Sequence, residues 1–238
     1  MSNVFQNNNS YSIPADSATA ERKLMRNVYG WMSLALAITG LTSYYVAGSQ
    51  AILSVIFSNQ FVFWGIAIAE FVLVMVLTAK INTLSFQTAG IMFAVYSILN
   101  GVLLSSIFVV YTMESIATTF FISAGMFAAM AVIGSTTKKD LSGIGRFALM
   151  AVIGLIIASL VNIFLKSTML EFIVSIIGVI VFAALTAYDA QKIKAMLQEY
   201  GTDVNETSQK IALLGSLSLY LDFINMFLYL LRLFGRRN

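Results

Sequence analysis

The sequence predicts an all-α membrane protein, a bundle of seven transmembrane helices with the last helix central. Three observations predict it. Of the 238 residues, 59% are hydrophobic and 11% charged, where a soluble domain carries roughly 25% charged residues. Seven apolar stretches each approach or exceed the ~20 residues needed to cross a ~30 Å hydrocarbon core as a helix; they are too long for barrel strands, and a spanning segment must be one or the other. The last stretch gathers its polar groups on one face, as a helix buried among others does.

In chain order, residues 1–20 are rich in asparagine and serine and hold the only proline, Pro14. Such a segment buries too little apolar surface to order itself, so a polar disordered tail is expected there. A single transmembrane domain is expected over 21–238. A secretory signal is not expected, because the basic cluster Arg22, Lys23 and Arg26 comes late and the following apolar run is too long for a signal h-region. The seven spans are 28–48, 61–80, 87–111, 115–136, 145–165, 170–197 and 210–234. Residues 51–57 are apolar but too short to span, and are expected at the membrane surface. The segment 138–146, KKDLSGIGR, reads as a polar turn that caps the fifth span. No internal repeat of the kind found in inverted-repeat transporters is present.

Asp222 stands near the middle of the last span. A carboxylate at the centre of a spanning helix costs about 2.5–3.5 kcal/mol on insertion scales, which makes it a candidate functional group. Gly215, Ser218, Asp222, Asn225, Tyr229 and Arg232 follow one another at steps of 3, 4, 3, 4 and 3. Those steps put them on one helical face and leave leucine, isoleucine, methionine and phenylalanine to cover the rest. The preceding span carries Asp189 after a long apolar run. Two acids on consecutive spans form a candidate pair; the plainer reading is that each is satisfied separately by hydroxyls, a lysine or water. Pairing sets a condition on depth. Asp222 lies roughly 15–18 Å inside Lys210 at a 1.5 Å rise per residue, and Asp189 reaches that level only if its helix continues to about residue 199.

Glu70 interrupts the second span and needs a partner of its own. Arg232 and Lys80 are the candidate cations, Arg232 the preferred one, and a structural salt bridge is the expected role. Asn100 and Asn162 read as amides that hydrogen-bond between helices. The chain has no cysteine, which excludes disulfides, thiolate metal sites and cysteine nucleophiles. It has no histidine, which removes histidine-ligated zinc, histidine bases and the usual switch near neutral pH. The net charge of +3 comes from loop lysines and arginines and forms no nucleic-acid patch.

Orientation follows from the basic residues. With the amino terminus inside, the inner segments hold Arg22, Lys23, Arg26, Lys80, Lys138, Lys139, Arg146, Lys192, Lys194 and Lys210, and the outer ones Lys166, Arg232, Arg236 and Arg237. Ten against four places the amino terminus in the cytoplasm and the carboxyl terminus outside. The basic carboxyl terminus dissents; were it inside too, the last segment would be re-entrant.

At SLYLDFINMF (218–227), LLRLFG (230–235), AYDAQKI (187–193) and KKDLS (138–142) the chain resembles the Bax inhibitor-1, or transmembrane Bax-inhibitor-motif, family, in its bacterial members. The resemblance covers about 22–237, with the motifs in the family's order. It implies a seven-helix bundle around the last helix and a pH-responsive calcium leak in the inner membrane. It also implies that Asp189 and Asp222 are the sensing pair on helices six and seven. Some bacterial members latch the first aspartate with an arginine near the inner end of helix two. Here the aligned position is Ile81, and Lys80 beside it is the candidate latch.

Two carboxylates close together in a low-dielectric bundle resist double ionisation and share a proton. The same oxygens suit Ca²⁺, which takes six to eight oxygen ligands, so Asp189 and Asp222 are the candidate metal-binding pair and Ser218 and Asn225 the candidate remainder of a calcium shell. Ca²⁺ is then the transported ion, with no resident cofactor, and the partners are protons, Ca²⁺, the lipid bilayer and other membrane proteins. A competing reading is an interaction protein that modulates membrane protein quality control or stress survival. An intramembrane aspartyl protease is the remote one: Tyr188–Asp189 fits, but Leu219-Tyr220-Leu221-Asp222 lacks the Gly-x-Gly-Asp of that class, and no proline follows Pro14. No catalytic residue is therefore assigned.

Overall fold

The structure, a computed structural model, describes residues 15–200 and 204–238. Nine helices form among them: α1 Ala15–Ala47, α2 Gln50–Ser58, α3 Gln60–Lys80, α4 Phe86–Leu104, α5 Ser106–Val110, α6 Met113–Thr136, α7 Ser142–Leu165, α8 Thr168–Tyr200 and α9 Glu206–Phe234. Six helical segments are long and apolar enough to cross a membrane: α3, α4 continued through α5, α6, α7, α8 and α9. The first expected span lies in α1, which at 33 residues is long enough but less apolar, because Ser33, Thr39, Thr42 and Ser43 interrupt its second half. Its helix starts at Ala15, inside the expected tail, and residues 1–14 of that tail lie outside the described residues.

Turn chemistry sets the helix starts. Asn59 Oδ1 accepts from the Phe61 and Val62 amides at 3.0 and 3.4 Å, Ser85 Oγ from Thr88 N at 3.1 Å, and Thr112 Oγ1 from Ser115 N at 3.3 Å. Asn205 and Ser208 form a reciprocal capping box at the head of α9. Each cap satisfies an amide that the helix itself leaves without an acceptor. The span expected to run unbroken over 87–111 is interrupted at Ser105. Two successive hydroxyls there, Ser105 and Ser106, donate back to Val102 O and Leu103 O at 2.6 and 3.1 Å, three residues earlier, and compete with the helical ladder.

Of the six segments able to span, α9 is the most enclosed. Two thirds (67%) of its most apolar window is buried, against 6% for α3 and 11% for α7, and it packs on α8, α1, α6 and α4. The outer helices turn large apolar side chains outward, among them Phe61, Phe121, Phe147 and Phe164, as a lipid-facing surface requires. At the far end of α9 the chain folds against the α5–α6 turn: Thr112 N donates to Arg236 O and Asn238 N to Val110 O, both at 3.0 Å. The last segment is thus one continuous helix that ends beside residues 110–112 and 166–171, and the re-entrant alternative does not form. The opposite end gathers the α3–α4 turn, the α6–α7 turn and the head of α9, where Phe86 N donates to Glu206 at 3.1 Å. The ten cations assigned to one side sit at this end, and the four assigned to the other sit at the end of α9.

A two-carboxylate cavity as candidate functional site

The AYDAQKI segment fixes α8 against its neighbours residue by residue. Ala187 meets Gly134 of α6 so closely that a Cβ on Gly134 would lie 2.0 Å from the Ala187 carbonyl oxygen. The Tyr188 ring fills the space a side chain would need at Gly145 of α7. Gln191 ties the α6–α7 turn in both directions: Leu141 N donates to Gln191 Oε1 at 2.9 Å and Gln191 Nε2 to Lys139 O at 2.8 Å. Lys194 Nζ reaches Ser135 O at 2.8 Å. Between these anchors Asp189 points away from α6. The condition on depth is met, since α8 continues to Tyr200 and leaves Asp189 eleven residues, about 16 Å, above its end.

On α9, Gly215 takes the Ile193 side chain, and Tyr229 packs on Gly178 and stacks on Phe182 with ring centroids 5.9 Å apart. These contacts turn the polar stripe of α9 toward α8 and α7. The other face of α9 is anchored by Tyr220, fully buried, which lies 2.7 Å from Thr39 Oγ1 with edge-to-face contacts to Phe93 and Tyr96.

The stripe faces a cavity of about 370 Å³ lined by Asp189, Ser218, Asp222, Asn225 and Tyr229. Its apolar walls are Leu149, Val152, Leu155 and Ile156 of α7, with Phe182, Leu185 and Leu221. The structure therefore brings together both aspartates and both residues of the expected shell around one cavity. Asp222 is 5% exposed, and its Oδ2 is buried with no hydrogen-bond partner. An orphaned buried carboxylate oxygen is costly and calls for a proton or a cation. Asn225 donates its amide nitrogen to Leu221 O at 2.8 Å, which leaves its carbonyl oxygen for the cavity. The α7 wall was not legible in the sequence, because its residues are leucines and isoleucines like those that face lipid.

Among the described residues Glu70 is not met by a cation, and this corrects the expected ion pair. Asn100 Nδ2 donates to Glu70 Oε1. Height explains the difference. Glu70 lies ten residues, about 15 Å, inside the start of α3, whereas Arg232 is two residues, about 3 Å, from the end of α9. Arg232 instead lies over the Tyr229 ring, 5.3 Å from its centroid. Lys80 is exposed at the end of α3 and forms no ion pair with Asp189 among the described residues, while Ile81 is buried in the core. Asn162 does not bond between helices as expected; its side chain accepts from Ser167 N at 3.0 Å and closes the α7–α8 turn.

The family model described as inhibitor of apoptosis-promoting Bax1 matches residues 21–238. The chain belongs to the Bax inhibitor-1 family. Among its relatives in that family is the inner membrane protein YbhL of Escherichia coli, 50% identical over 213 residues that cover 90% of this chain and 91% of that one. An uncharacterized protein of Borreliella burgdorferi is 45% identical over 217 residues, 91% and 93% of the two chains. An uncharacterized membrane protein of Streptococcus pyogenes is 35% identical over 234 residues, 97% and 100% of the two. With six helical segments able to span, this Bax inhibitor-1 family member is a multi-pass membrane protein.

Proposed function

We propose that the protein is a pH-sensitive calcium leak of the inner membrane, with Asp189 and Asp222 as its ion site and proton sensor. The observation that carries this reading is the cavity shared by the two carboxylates, in which Asp222 Oδ2 is buried without a partner. Two carboxylates, the Ser218 hydroxyl and the Asn225 carbonyl supply hard oxygens, and water or backbone carbonyls complete the six to eight that Ca²⁺ takes. A proton held between the carboxylates competes with the ion for the same oxygens, so pH sets occupancy. The absence of histidine leaves no ordinary side chain to do this near neutrality. The bundle of this proposal has seven spans, α1 being the first, around a central α9. The end that holds ten of the fourteen lysines and arginines faces the cytoplasm.

The test is calcium flux into liposomes that contain this protein alone, measured between about pH 5 and 8. Asp189→Asn and Asp222→Asn each remove one charged ligand, an interaction of about 1.5–3 kcal/mol, so flux falls about tenfold or more and its pH dependence flattens. Glu70→Gln, which lies outside the cavity, keeps the wild-type pH profile. Wild-type profiles in both aspartate variants would remove the pair from the mechanism.

A further inference from the structure

A second polar cavity, of about 470 Å³, lies where α7, α8 and α9 end together, lined by Ser159, Asn162, Lys166, Glu171 and Arg232 with Ile163 and Val174. Its charges do not balance. Glu171 is its one carboxylate, and Glu171 Oε1 already takes the Arg237 guanidinium at 3.4 Å. Lys166 and Arg232 form no ion pair among the described residues, and the one partner of the Arg232 guanidinium is the Tyr229 ring. Three cations against one anion leave two positive charges around a space that no protein group fills.

The backbone gives a second reason to look here. Lys166 closes α7 in the left-handed conformation, φ 49° and ψ 34°, and is the one non-glycine residue with positive φ among those described. Glycine or asparagine adopts that conformation with least strain. The turn is held in it by Lys166 N on Asn162 O at 2.8 Å and Ser167 N on Asn162 Oδ1 at 3.0 Å. A lysine in this position lines the same cavity as Arg232 of the last turn of α9, at the expense of backbone comfort. Height fixes the surroundings: Lys166 follows the last residue of α7, Glu171 is in the first turn of α8 and Arg232 in the last turn of α9. Helix ends that span a hydrocarbon core lie at the level of the lipid head groups.

We infer that this cavity binds a phosphate group, with the Arg232 guanidinium and the Lys166 ammonium as its donors, and that the phosphate is that of an anionic phospholipid. Arginine suits bidentate phosphate recognition and lysine adds a point charge; basic pockets between spanning helices hold acidic head groups in the same way. Glu171 also lines the cavity, and its pairing with Arg237 at 3.4 Å offsets its charge. Ile163, 64% exposed on the outer face of α7, gives the acyl chains a surface to follow. Free inorganic phosphate shares the chemistry but has no use for that surface.

The experiment uses the full chain, stripped of lipid in a neutral detergent, in two arms. In the first, native mass spectrometry titrates phosphatidylglycerol against phosphatidylcholine; in the second, sodium phosphate is compared with sodium chloride at equal ionic strength by thermal melting. The wild type is expected to prefer phosphatidylglycerol about tenfold or more. Lys166→Asn, which suits the left-handed turn, and Arg232→Gln each abolish that preference. Arg232→Lys retains part of it, and Lys23→Gln at the opposite end of the bundle retains all of it. If phosphate raises the melting temperature of the wild type but not of the two variants, and no lipid preference exists, the site stands with free phosphate as its ligand. If neither ligand separates the wild type from Lys166→Asn and Arg232→Gln, the inference is overturned. Aspartate variants of the neighbouring cavity bind lipid as the wild type does, so this result is independent of the ion-leak reading.

Discussion

Replacing Gly134 by alanine tests the packing that holds Asp189 in place. A Cβ at that position would lie 2.0 Å from Ala187 O, 2.7 Å from its carbonyl carbon and 2.8 Å from its Cα. All three are backbone atoms, so no rotamer change relieves the contact. Ordinary van der Waals contact begins near 3.4 Å, and α6 and α8 must therefore part to admit the methyl group. Overpacking of this kind costs about 1–3 kcal/mol, and a rigid obstacle puts Gly134→Ala at the upper end. The control lies on the same helix. A Cβ at Gly125 meets nothing within 4 Å, so Gly125→Ala is neutral or gains up to about 1 kcal/mol of helix propensity. Unfolding in mixed micelles at rising dodecyl sulfate should separate the two variants by about 2–3 kcal/mol. Because Ala187 is two residues before Asp189, Gly134→Ala should also change calcium flux, and Gly125→Ala should not. Equal stability of the two variants, within about 0.5 kcal/mol, would refute the close approach of α6 and α8.

Three further outcomes are expected. Thr39 Oγ1 donates to Ser97 O at 2.9 Å and so accepts from Tyr220; Tyr220→Phe therefore loses one hydrogen bond, about 1 kcal/mol, while Thr39→Val orphans the buried Tyr220 hydroxyl and costs about 1–3 kcal/mol. Denaturation of the double variant should show less than the sum. Glu70→Gln and Arg232→Gln share no partner, so their effects on stability should add within about 0.5 kcal/mol, and a larger coupling would restore the ion pair that the helix heights deny. In the α6–α7 turn, the Ser142 hydroxyl and then its backbone N–H hold the Asp140 carboxyl below its ordinary value of 3.8. The folded value is the lower one, so the Asp140–Ser142 hydrogen bond is complete above pH 3.8 and is lost as pH falls through the folded value. Hydrogen exchange at Ser142 N, corrected for its intrinsic pH dependence, should lose protection only in that acid range, and Asp140→Asn should remove the transition.

The parts of the site that were legible in the sequence are those where polarity conflicts with surroundings. Asp222, Asn225 and Ser218 stand out against leucine and phenylalanine, and their spacing of 3 and 4 assigns them one face without knowledge of any neighbour. Asp189 was legible for the same reason, and its depth reduced to one condition on the length of α8. Contacts between helices were less so. Glu70 drew the wrong partner because charge pairs residues in the mind of the reader, whereas helix height pairs them in the bundle. Nothing in the spacing of Gly134 and Gly145 names Ala187 and Tyr188 as what they admit. Lys166 was counted as a charge for orientation; its left-handed backbone is a property of the turn, which periodicity does not encode.

The way α7 is attached bears on how the two-carboxylate cavity behaves as a machine part. α8 is gripped by α6, α7 and α9, and α9 by four helices, but α7 packs along α8 and makes no comparable contact with another helix among those described. The spacing of Asp189 and Asp222 is thus set by the most extensive helix pairing in the molecule, and the wall of leucines and isoleucines opposite them by a helix attached along one neighbour. In the proposed leak, ion preference, which depends on ligand spacing, and throughput, which depends on width, would consequently be governed by different helices. Substitutions at Leu149, Val152 or Ile156 can tune the second without disturbing the first.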